Sequence, residues 1–126
     1  MSTTQEGSNS QIIVFRGELL PNKYAWSPFV NKLEARLRLA QVPYHVQRGS
    51  PREAPRGKIP YIQITDAEQH GIPTTLSDSS LIITELMSRD ILPDLNASLG
   101  PAQRAHDFAI RSMLEDRLYF YNVCIH

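Results

Sequence analysis

The sequence predicts an α/β fold, one mixed four-stranded sheet with helices packed on it. Three observations lead there. A short apolar run, "IIVF" at residues 12–15, is followed by an amphipathic helical stretch and then by "YHVQ" at 44–47. A crossover through a helix makes those two strands parallel. Further on, "IPYIQIT" and "PTTLS" flank a short polar turn, "DAEQHG", which makes an antiparallel pair. "DSSLIITELMSRDIL" then supplies a second helix, and helices on both faces are the economical cover for such a sheet.

Each element has a local cause. "IIVF" is continuously apolar and rich in β-branched residues, the pattern of a strand buried on both faces. "RGELLPNKYAW" reads as a loop, with Gly17 and Pro21 as breakers. In "SPFVNKLEARLRLAQVP", Ser27 is a good N-cap and Pro28 suits the first helical position. Phe29, Leu33, Leu37 and Ala40 form one apolar stripe. Lys32, Glu34, Arg36 and Arg38 fall off it, with Glu34 and Arg38 spaced for an i,i+4 pair, and Pro43 stops the helix.

"RGSPREAPRGK" is a loop of glycines and prolines. "YIQIT" alternates, with Ile62 and Ile64 on one side and Tyr61 and Gln63 on the other. Asp78 is the expected N-cap of the second helix, whose inner face is Leu81, Ile82, Leu86 and Met87, with Pro93 as its stop. "PDLNASLG" links it to one long helix that starts near Pro101, with Ala105, Phe108, Ala109, Ser112 and Leu118 at its apolar positions.

Composition narrows the function. At 126 residues the chain has room for one compact domain. Formal net charge is zero, which gives no electrostatic case for a nucleic-acid partner. Cys124 is the single cysteine, so no intrachain disulfide forms. His45, His70, His106 and His126 lack metal-ligand spacing. No apolar run reaches membrane-span length, and residues 1–10 read as a disordered polar tail without signal-peptide character. A cytoplasmic location is the expectation. A serine-hydrolase reading lacks a His–Asp pattern around Ser27, and a Rossmann reading lacks a glycine-rich turn after the first strand.

Strand–helix–strand, then a proline opening the third strand, then an acidic–Ser pair opening the next helix, resembles the thioredoxin-like N-terminal domain of the glutathione transferases. The wording "SPFVNKLEARLRLAQVPY", "GKIPYI", "LSDSSLIITELM" and "DLNASL" is closer still to the branch of the failed axon connections proteins, and more weakly to the metaxins. The likeness covers nearly everything after Ile12. It implies a thioredoxin-like domain over residues 11–95, then a linker and the first helix of an incomplete helical domain over 96–126.

The resemblance also implies a glutathione site, with glutathione as co-substrate and no resident cofactor. A cis Ile59–Pro60 bond would present the main chain of Ile59 to the cysteinyl backbone of the ligand. Asp78 and Ser79 would bind the ammonium and carboxylate of its γ-glutamyl end, and Ser27 would face the sulfur. Each has a plainer reading: Pro60 as a trans strand opener, Asp78–Ser79 as a cap, Ser27 as a cap only. Ser27 and Val30 leave both positions of a C-x-x-C vacant, which excludes thiol–disulfide exchange by that route. The functional expectation is a glutathione-transferase-like protein that conjugates an electrophile in a full-length form. The alternative is a non-catalytic interaction module. Phe120, Tyr121, Val123, Cys124 and Ile125 extend the apolar character of the last helix, from which a truncated chain and a homodimer or protein partner through residues 119–125 are expected.

Overall fold

A computed structural model describes residues 10–19, 23–66 and 70–125. The expected tail at 1–10 lies outside these, apart from Ser10, whose hydroxyl donates to Asp66 Oδ1 at 2.6 Å. The chain forms two compact units, residues 1–93 and 94–126.

The first unit contains β1 (Gln11–Phe15), α1 (Pro28–Leu39), β2 (His45–Gln47), β3 (Tyr61–Thr65), β4 (Thr74–Ser77) and α2 (Ser79–Ser88). The sheet order is β2-β1-β3-β4. β1 runs parallel to β2 and antiparallel to β3, and β3 is antiparallel to β4. This is the mixed α/β architecture expected from the sequence.

The pairings Ile12–Ile64 and Val14–Ile62 place four apolar side chains on one face. Leu33 and Leu37 of α1, Ile82 and Leu86 of α2, and Leu92 close over them as a single buried cluster. Both helices of this unit therefore cover the same face, which corrects the expectation of helices on both. The sequence between β2 and β3 has the glycines and prolines that prevent a helix there, and it folds as turns. β1 in turn alternates instead of being buried on both faces: Ile12 and Val14 are buried, Ile13 and Phe15 half-buried. On the second face Phe15 stacks on Tyr61, with centroids 4.4 Å apart. Gly49 presses against this pair so closely that a Cβ there would lie 2.8 Å from Phe15 Cβ.

The helices also shift in detail. The buried side chains of α1 are Val30, Leu33, Glu34 and Leu37, with Phe29 only half-buried. In α2, Ile82 and Leu86 point inward, while Leu81 is exposed and Met87 half-buried. α2 stops before Pro93 is reached. Asp90 takes a left-handed conformation, and Ile91 and Leu92 donate back to Leu86 O, which returns Leu92 to the core.

In the second unit the expected single long helix is three segments: α3 (Pro101–Ser112), a π-helical turn (Met113–Leu118) and α4 (Tyr119–Ile125). Gln103 Oε1 accepts from the Gly100 N–H at the start of α3. No side chain of α3 or of the π-helical turn is buried. Wider i→i+5 bonding shifts the residues that follow round the helix axis, which the 3.6-residue reading of the sequence did not anticipate.

Candidate functional site

The carboxyl ends of the parallel strands β1 and β2 and the start of α1 meet at one edge of the first unit. Ligands of open α/β sheets bind outside the carboxyl ends of the strands, where crossover connections diverge. A cavity of about 530 Å³ opens there, lined by residues that include Gly17, Tyr24, Trp26, Ser27, Arg48, Ser50 and Ile59.

Ser27 occupies the N-cap position of α1, with φ −76° and ψ 121°, yet its side chain makes no capping hydrogen bond. The expected hydroxyl cap is therefore corrected. The entry of the chain into the helix is held instead by Asn31, whose side-chain amide accepts from Ala25 N–H at 2.9 Å and donates to Ala25 O at 2.8 Å.

Beneath this loop lies a charge cluster. Arg16 Nε is 3.3 Å from Glu34 Oε2, and both side chains are nearly buried. Arg16 Nη2 donates to Lys23 O at 2.9 Å. Glu34 Oε1 accepts from Tyr44 Oη at 2.9 Å, and Tyr44 Oη accepts from Arg38 Nε at 2.9 Å. Glu34 was expected on the solvent side, paired with Arg38. It is buried; the i,i+4 ion pair with Arg38 forms, at 3.9 Å, and Arg16 is a second and nearer partner. Burial holds the Tyr44 phenol above its ordinary pKa; the Arg38 hydrogen bond opposes this and the one to Glu34 reinforces it. Burial first, and the charge of Glu53 second, also raise Tyr61.

At the start of α2, Asp78 caps through Oδ1, which accepts from Ser80 N–H at 2.9 Å and from Leu81 N–H at 3.3 Å. Its backbone sits at φ 73° and ψ 120°. A non-glycine residue there costs on the order of 1–3 kcal/mol, and such outliers gather at functional sites. Ser79 is buried. Lys32 Nζ donates to Ser80 Oγ at 3.0 Å and to Ser79 Oγ at 3.4 Å, so an ammonium from α1 stands over the first turn of α2.

A family model described as the glutathione S-transferase N-terminal domain matches residues 28–126. The chain belongs to that family. No solved structure matches the chain significantly.

Within this transferase N-terminal domain, the residues singled out from sequence fall into two groups. Ser27 and Ile59 share the cavity, and the Ile59–Pro60 bond is cis. Pro60 is buried behind it. Asp78 and Ser79 do not line the cavity; they sit together at the start of α2. Asn31, Arg16 and Lys32 were not recognised as contributors. Asn31 and Lys32 looked like ordinary polar positions of an amphipathic helix, and their partners are fixed only by tertiary packing. A side chain that reaches back six residues leaves no periodic signal. Among the described residues no group of three or more His, Cys, Asp or Glu could hold a metal ion. Nor is any described helix long and apolar enough to cross a membrane.

Proposed function

We propose that this domain binds glutathione and that Ser27 activates its thiol for conjugation to an electrophile. One observation carries the reading: Ser27 stands at the start of α1, its hydroxyl makes no capping bond, and the residue lines a cavity together with Ile59. In the proposed complex Ile59 pairs with the cysteinyl backbone, with Pro60 holding the turn. Ser79, aided by the α2 dipole and the Lys32 ammonium, receives the γ-glutamyl carboxylate. Asp78 takes the ammonium through Oδ2, since Oδ1 accepts the cap bonds from Ser80 and Leu81. The thiol proton leaves to solvent. The Ser27 O–H then donates to the thiolate sulfur, which lowers the thiol pKa and forms the new C–S bond as the electrophile's leaving group departs. We place the domain in the cytoplasm and, by wording, in the failed axon connections branch of the family. The division at residues 11–95 and 96–126 is part of the same proposal.

The test is calorimetric titration with glutathione, with thiolate absorbance followed against pH for the bound ligand. Ser27→Ala is expected to raise the pH at which the bound thiol ionises. It should also cost less stability than the roughly 0.5–2 kcal/mol of a lost cap, because no cap bond is made. Absence of glutathione binding at millimolar concentration would overturn the proposal.

A second reading, a non-catalytic interaction module of failed axon connections or metaxin type, draws on the second unit. Phe108, Leu118, Phe120 and Val123 are all more than half exposed there. Contiguous exposed apolar surface favours association. The expectation is that the chain sediments as a dimer and that Phe120→Glu returns it to monomer; a monomer at high concentration before mutation removes this reading.

A further inference from the structure

We propose that Asn31 is the positioning residue of this cavity: its side-chain amide, in place of the Ser27 hydroxyl, fixes how the chain enters α1, and so leaves that hydroxyl to the cavity. The first turn of a helix has donors without partners, and the usual remedy is an N-cap side chain that accepts from one of them. Ser27 does not do so. Asn31 lies one turn into the helix and carries a donor and an acceptor on one planar group. It spends both on Ala25, at 2.9 Å from Ala25 N and 2.8 Å to Ala25 O. Only one orientation of the amide satisfies both contacts, so the clamp also fixes its own rotamer. The Asn31 N–H meanwhile donates to Ser27 O at 3.2 Å. One residue thus ties the chain at 25 and 27.

From the β1 side, the nearly buried Arg16 takes Lys23 O. The loop is held at 23, 25 and 27, while the two residues between these points, Tyr24 and Trp26, line the cavity and remain 86% exposed. A stretch whose rings are in solvent has little packing of its own to hold it, so its conformation rests on these main-chain contacts. Asn31 touches no ligand in this account. It acts through Ser27 and through the loop.

The proposal rests on the glutathione reading for its functional consequence, but the clamp can be read without ligand. Two variants of the whole chain suffice. Asn31→Leu keeps the size and favours helix; Asn31→Asp keeps an acceptor for Ala25 N–H and loses the donor to Ala25 O. Amide exchange by NMR is measured first, then glutathione titration. The expected result is a protected Ala25 amide in the parent that exchanges freely in Asn31→Leu, with the amides of Leu33 to Leu37 unchanged. Glutathione affinity then falls by roughly tenfold, the scale of one lost hydrogen bond to a charged ligand. The bound thiol also ionises at higher pH. Asn31→Asp retains Ala25 protection and loses only part of the affinity. Equal Ala25 exchange in parent and Asn31→Leu overturns the clamp. Lost protection with affinity and thiol ionisation unchanged overturns its positioning role. If the parent does not bind glutathione, the transferase reading falls by itself, and the claim about Ser27 is decided in the free protein. There, Asn31→Leu should let the Ser27 hydroxyl cap the helix and protect the Val30 amide, and adding Ser27→Ala should remove that gain. No gain at Val30 sinks the proposal.

Discussion

Glu34→Ala is expected to lower the unfolding free energy by about 3–5 kcal/mol, the cost of stranding one partner of a buried ion pair. The Arg16 and Glu34 side chains are 9% and 6% exposed. Arg16 Nε already lies within ion-pair distance of Glu34 without a hydrogen-bond line to it, so the carboxylate charge is its main compensation there. The same substitution removes the acceptor of the Tyr44 hydroxyl. Urea unfolding of the variant measures the loss. A double variant, Arg16→Met with Glu34→Met, should recover most of it, because a well-packed apolar pair often replaces a buried ion pair at no net cost. A loss below about 1 kcal/mol, the range of exposed pairs, would mean that solvent reaches the pair in solution.

Ile62→Ala should cost about 2–5 kcal/mol, the range for truncating a buried large aliphatic side chain. Ile62 is fully buried, lies on a central strand, and is paired with Val14 on one side and Leu76 on the other. Its neighbours come from the sheet and from both helices, so no single element can move in to fill the space. The denaturant midpoint should fall while the slope stays constant, the mark of a change in stability without a change in exposed surface. A cost near 1 kcal/mol would show that the core relaxes onto the gap.

Much of this core was legible in the sequence. "YIQIT" alternates, and its two isoleucines face the helices as the period of two requires. Strand–helix–strand order fixed the parallel pair, and a short turn fixed the antiparallel one. The failures share a cause, which is that pattern rules assign a residue to a face by its own polarity. Polarity alone assigns Glu34 to solvent, yet a cation outside α1 altogether, Arg16 at the end of β1, brings it inside. Ser27 was given the cap because serines usually take it, and the competing clamp belongs to a side chain whose partner lies six residues back. The site was legible in the same uneven way. Ser27 and Ile59 do converge on one cavity, but Asp78 and Ser79 belong to a separate cluster whose third member, Lys32, comes from another helix.

Trp26 is the single tryptophan of the chain, and it is 86% exposed. Its ring is in water in the folded state as well as in the unfolded one. Native emission should therefore already lie at long wavelength, and denaturant should change it little even as the core of Ile62 and Leu86 comes apart. Melting curves for the two stability variants have to be followed by circular dichroism. The indole reports on the mouth of the cavity and is silent about the core, which makes it an optical probe for any molecule that settles beside Ser27.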